Sequence, residues 1–129
     1  MNAHAASLAQ QPIGREAHAR SLQLEIPAVV ERLTGVLGLA LVAVIVNKDG
    51  RSVQRWAAGE TKPAQQNERT LRDTLQVLEL LASAEAEPVV RAWFMGMNPQ
   101  LEDASPAEAV SDGRARDVMA AARAYLNAD

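Results

Sequence analysis

The chain has 129 residues, 48% hydrophobic and 22% charged, with a formal net charge of −3 and no cysteine. That length supplies a core for one domain or two very small ones. The missing cysteine excludes disulfides, thiolate zinc sites and cysteine nucleophiles, and the acidic balance leaves room only for a local basic patch, not a surface coated for nucleic acid.

His4 and His18 are the only histidines and both lie in the polar N-terminal segment, so no metal site is expected. No glycine-rich phosphate loop or nucleophile–base set is present, so neither a cofactor nor catalytic residues are expected. The apolar run over residues 36–46 is shorter than the ~20 residues that cross a bilayer. A non-membrane, cytoplasmic protein is the expectation. Two Trp, one Tyr and one Phe among abundant Ala and Leu favour helix over sheet, and the fold class read from the sequence is all-α.

In chain order, residues 1–24 are rich in Ala, Gln and His and carry no sustained apolar stripe, which predicts an N-terminal arm. Ile26, Val29, Val30 and Leu33 recur at helical spacing with Pro27 in the first turn, and Gly35 is placed to end that helix. Residues 25–66 are read as one unit and 67–129 as a second, helical one.

The stretch "VAVIVNKDGRSVQRWAAG" (42–59) admits two readings. Asp49-Gly50 is a hairpin signal. Against it, Val53, Trp56 and Ala57 recur at i, i+3, i+4, whereas a strand would put Val53 on one face with Arg55. A helix-turn-helix follows, with Asn47 in the left-handed conformation at the turn and Asp49 as N-cap of the recognition helix, which Gly59 ends. The outward face of that helix carries Arg51, Ser52, Gln54 and Arg55 as candidate DNA contacts, and Lys48 and Lys62 are candidate phosphate contacts.

The preceding segment "LALVAVIV" is apolar on every side, a pattern of burial on two faces. Leu41, Val44 and Ile45 form the second of these, so a homodimer or partner surface is predicted there.

Beyond it, Leu71, Leu75, Leu78 and Leu81 predict a helix over 70–84. Pro88 opens another that runs through Trp93 and Phe94 to Gly96. Asn98-Pro99 and Ser105-Pro106-Ala107-Glu108 are helix starts, the second a capping box. Asp112 is expected to cap a last helix over 113–126.

This order of elements, with "RSVQRWAAGETKP" in the first half and "AWFMGMNPQLEDASPAEAVSDGRARDVMAAARAYL" in the second, resembles the Xre/MbcA/ParS-type antitoxin family over residues 30–126. The resemblance implies an antitoxin that represses its own operon by binding operator DNA and that neutralises a cognate toxin. It further implies a RES-domain enzyme that destroys NAD as that toxin, with no catalytic residues on the antitoxin itself. Trp93, Met97, Asn98, Pro99, Ser105 and Pro106 occupy the family's motif positions and are the implied toxin-binding residues. Two alternatives stand beside it. One is a stand-alone helix-turn-helix regulator without a toxin. The other keeps the hairpin, because residues 31–60 are also similar to roadblock-type dimeric interaction domains.

Overall fold

The computed structural model describes residues 24–128, so the reading of residues 1–23 as an arm falls outside the described residues. Among the described residues the chain forms seven α-helices, one 3-10 turn and no strand. They are α1 (Ile26–Leu37), α2 (Leu39–Val46), α3 (Gly50–Ala57), α4 (Gln65–Ala82), α5 (Glu87–Met95), the turn Pro99–Leu101, α6 (Pro106–Ser111) and α7 (Ala115–Asn127). The all-α fold is as the sequence implied, and the hairpin alternative is overturned: the 42–59 stretch is two helices and a turn.

The 18-residue α4 is the central element, burying Leu71, Leu75, Leu78 and Leu81 among others. It packs against α1 on one side and α7 on another. A single apolar cluster runs from Val29 on α1 to Ala122 on α7. The change of role expected at residues 66/67 therefore coincides with no break in the core.

Gly35 does not end α1. The apolar stripe continues through buried Val36 and Leu37, and their burial outweighs the ~1 kcal/mol penalty of one glycine in a helix. The stop is Gly38, at φ 88°, with its N–H on the Thr34 carbonyl at 2.9 Å. A Cβ there would lie 3.2 Å from Nη2 of Arg91. At this point the chain turns by 119° from α1 into α2. No single described helix is long and apolar enough to cross a membrane.

Three helices end in the same way, with a left-handed residue followed by a backbone N–H that reaches back into the last turn. After α2 it is Asn47 (φ 55°), with Lys48 N–H on Ala43 at 3.0 Å. After α3 it is Gly59 (φ 75°), with Glu60 N–H on Arg55 at 2.9 Å. After α6 it is Gly113 (φ 85°), with Arg114 N–H on Ala109 at 2.8 Å. The last of these corrects an expectation: Asp112-Gly113 closes α6 instead of capping α7, which begins at Ala115 without a side-chain cap.

The start at Asn98 is also shorter than expected. Its side chain accepts from Gln100 N–H at 2.9 Å, but only the three-residue turn follows. Glu102 and Asp103 both take positive φ (54° and 68°) and halt it.

Candidate functional site

Asp49 accepts the backbone N–H of Ser52 at 2.8 Å and so opens α3. The Ser52 side chain, and then this backbone bond, hold its carboxyl below the usual carboxylate range, with Arg51 and Arg55 pulling the same way. Val53 and Trp56 turn inward and fix the rotation of α3 on α1. Arg51, Gln54 and Arg55 are left exposed by the same rotation, and Ser52 is half-buried.

A shallow groove of about 290 Å³ runs beside them, between α3 and the start of α4. Lys48, Ser52, Arg55 and Lys62 line it together with Asn67, over a floor that includes Trp56. No carboxylate lines it. Four of the six residues singled out for DNA are thus brought to one concavity, and Arg51 and Gln54 stand on the helix that borders it.

A second surface lies on α5 and the turn after it. Trp93 is half-buried, set edge-on to Phe94 (ring centroids 5.3 Å apart) and 6.4 Å from the ring of Tyr125 on α7. The Tyr125 hydroxyl donates to Glu85 at 3.0 Å, and this bond, with burial second, pushes the phenol up. Met97 is 80% exposed, and Val89, one turn before Trp93, is exposed as well. Pro99 is exposed and Asn98 is half-buried. The sequence reading missed Val89, although it shares a helix face with Trp93 at i, i+4, and Tyr125, which joins Trp93 only once α5 and α7 are packed together.

Ser105 and Pro106 stand apart from this surface. Both are buried, and their chemistry is local. The Ser105 hydroxyl accepts from Glu108 N–H and its own N–H donates to the Glu108 carboxylate, both at 3.1 Å. They open α6 and offer no surface to a partner, which corrects their place among candidate contacts.

The third predicted surface, on α2, is corrected in part. Ile45 is 2% exposed and belongs to the core, and Leu41 is half-buried. Helix α2 packs against α6 as well as α1 and α3, so its second apolar face finds its partner inside the chain. The Ser111 hydroxyl of α6 donates to the Val44 carbonyl at 3.2 Å. Of the three, Val44 alone is largely outside, at 54% exposure.

A further charged region was not singled out from the sequence. Two adjoining clefts of about 440 and 610 Å³ lie between α4 and the start of α7, sharing Asp73, Gly113 and Ala115. Arg69 lines the first, and Arg116 and Arg123 line the second. Among the described residues no cluster of three His, Asp or Glu side chains could hold a metal ion.

No family model matches the chain. Curated proteins do, among them two called mycobacterial cidal antitoxin MbcA, from Mycobacterium tuberculosis (strain ATCC 25618 / H37Rv) and Mycobacterium bovis (strain ATCC BAA-935 / AF2122/97). Each is 35% identical over 86 residues, covering 65% of this chain and 76% of the relative. Among solved structures, that of the M. tuberculosis MbcT–MbcA toxin–antitoxin complex superposes with a TM-score of 0.67 at 30% identity. The match covers 78% of this chain and 93% of that one. Identity at this level over three-quarters of the relative's length, joined to the same helical fold, shows that the chain belongs to the MbcA antitoxin family.

Proposed function

We propose that this antitoxin binds and neutralises a cognate toxin and represses its own operon. The observation that carries the first part is the likeness to a chain solved in complex with its toxin, MbcT. The strip of Trp93, Val89, Met97 and Tyr125 is the contact offered for it, with Asn98 and Pro99 at its border. An exposed cluster of aromatic and methionine side chains is what interface cores favour over the rest of a surface. The resemblance to the wider Xre/MbcA/ParS-type family points to a RES-domain, NAD-degrading enzyme as the toxin. No residue of this chain is required to perform chemistry in that role.

The second part rests on the basic groove beside α3. Lys48, Arg51, Arg55 and Lys62 supply charge for phosphates, and Gln54 and the arginines can read base edges. Because the whole chain carries a net charge of −3, such binding relies on this local patch and weakens steeply with salt. A homodimer joined at Val44 and Leu41 would present two such helices to an operator.

The test is co-expression with the gene next to this one. Rescue of growth, recovery of cellular NAD and co-purification of a stable complex are expected. Growth arrest that the antitoxin does not relieve, with no complex recovered, refutes toxin neutralisation.

A further inference from the structure

We infer that the cleft between α4 and α7 is a second docking site for the toxin, one that receives an acidic segment of it. This rests on the toxin-binding reading above and adds a surface distinct from the Trp93 strip. Helix α7 separates the two: Arg116, Met119, Ala120 and Arg123 follow one another at helical spacing along the cleft, whereas Tyr125 meets Trp93 elsewhere on the helix.

Four charged side chains line the cleft, and besides burial only the charge of Arg69 acts on Asp73. Among the described residues Asp73, Arg69, Arg116 and Arg123 form no hydrogen bond and no ion pair. Elsewhere the chain pairs its arginines readily: Arg32, Arg72 and Arg114 each hold carboxylates at about 3 Å. Asp73 is only half exposed, at the point where the two clefts meet. A carboxylate in that position costs stability unless something binds it.

The lining indicates what fits. Three arginines against one aspartate make the rim cationic on a protein whose overall charge is negative. Val77 and Met119 supply an apolar floor between them. Carboxylates of a bound segment would meet Arg69, Arg116 and Arg123, while a backbone N–H or a basic side chain of the same segment would donate to Asp73. Duplex DNA is the poorer occupant. A phosphate backbone has no donor for Asp73, which would repel it, and no use for the apolar floor.

The experiment measures the affinity of the full chain for the toxin encoded beside it, across a range of salt, for the native protein, Arg116→Glu/Arg123→Glu and Asp73→Asn. The arginine pair, being exposed, leaves the fold intact by circular dichroism. It is expected to weaken the complex by about tenfold and to flatten its salt dependence. Asp73→Asn is expected to raise the melting temperature of the free antitoxin yet weaken the complex, a combination that a purely structural role for Asp73 does not produce. If the native chain binds the toxin and both variants bind it equally well, the cleft is no docking site and the toxin-binding reading survives. If the native chain forms no complex, both fall together. Loss of operator binding or of self-association by the arginine variant, with toxin affinity intact, overturns the inference in favour of DNA or a second copy.

Discussion

The guanidinium of Arg32 grips both carboxylate oxygens of Glu79, Nε on one and Nη2 on the other, each at 3.1 Å, across 47 positions of sequence. Its remaining nitrogen, Nη1, reaches Glu87 at 2.9 Å. One side chain on α1 thereby ties the end of α4 to the start of α5, and the bonds to Glu79 hold its charge more firmly than in water. The Glu79 side chain is only 9% exposed. Planar, two-point pairing of this kind is what Arg provides and Lys does not.

Arg32→Met should therefore lower stability by about 1–2 kcal/mol, since it removes a two-point bond from a nearly buried carboxylate while solvent reaching Arg32 moderates the loss. Glu87→Ala, removing only the exposed branch, should change little. Urea titration of both variants checks the difference, and equal effects would show that the link to α5 matters as much as the link to α4.

Asp73 sets a pH dependence of the opposite kind to the usual carboxylate. Burial pushes its carboxyl above the ordinary value of 3.8, and Arg69 only partly offsets this. The folded state thus binds the proton more tightly than the unfolded one. The resulting stability is fully present below the unfolded value and is lost as pH rises through the folded one. Asp73→Asn should melt higher than the native chain at neutral pH, with the gap closing as the medium is acidified towards 3.8. A gap independent of pH would mean that the charge is not the cause.

Ser105→Ala should cost about 1 kcal/mol, the usual loss for an N-cap hydroxyl. The reciprocal bond adds a pH signature: the Ser105 N–H, then its hydroxyl, hold the Glu108 carboxyl below its ordinary 4.5. That contribution is complete above the unfolded value and disappears as pH falls through the folded one. Thermal melts at neutral and acid pH should show the Ser105→Ala penalty shrinking in acid.

At the turn before α3, Asn47→Gly should be tolerated because either residue accepts φ 55°. Asn47→Val should cost about 1–3 kcal/mol, a β-branched residue being strained there. Operator binding supplies the companion test. Arg51→Ala with Arg55→Ala should weaken an electrophoretic shift and reduce the slope of affinity against salt by up to about two, one per lost phosphate contact. An unchanged shift would remove both residues from the reading surface.

Local signals written in adjacent residues were legible, and those written across the chain were not. Asn47 at the turn, Asp49 as a cap and the Ser105–Glu108 box each depend on three or four consecutive residues, so spacing alone locates them. The start of α4 at Gln65 was hidden because "QQNER" (65–69) is polar throughout and the apolar period begins only at Leu71. Asp112-Gly113 was ambiguous for a different reason. A cap for the next helix and a close for the previous one use the same residue types, and the Arg114 bond to Ala109 decides between them.

From the sequence alone come the helical fold, the turn into α3, the polar outer face of that helix and the motifs that mark the family, because all of these are encoded at separations within a helical turn or two. Tertiary packing decided the rest. It turned the second apolar face of α2 inward onto α6, buried Ser105 and Pro106 that motif position had nominated as contacts, and brought Trp93 to Tyr125. It also set Arg69, Asp73, Arg116 and Arg123 along two adjoining clefts. Which face of a helix meets solvent depends on which other helices close over it, and that is a property of the assembled core, not of any segment within it.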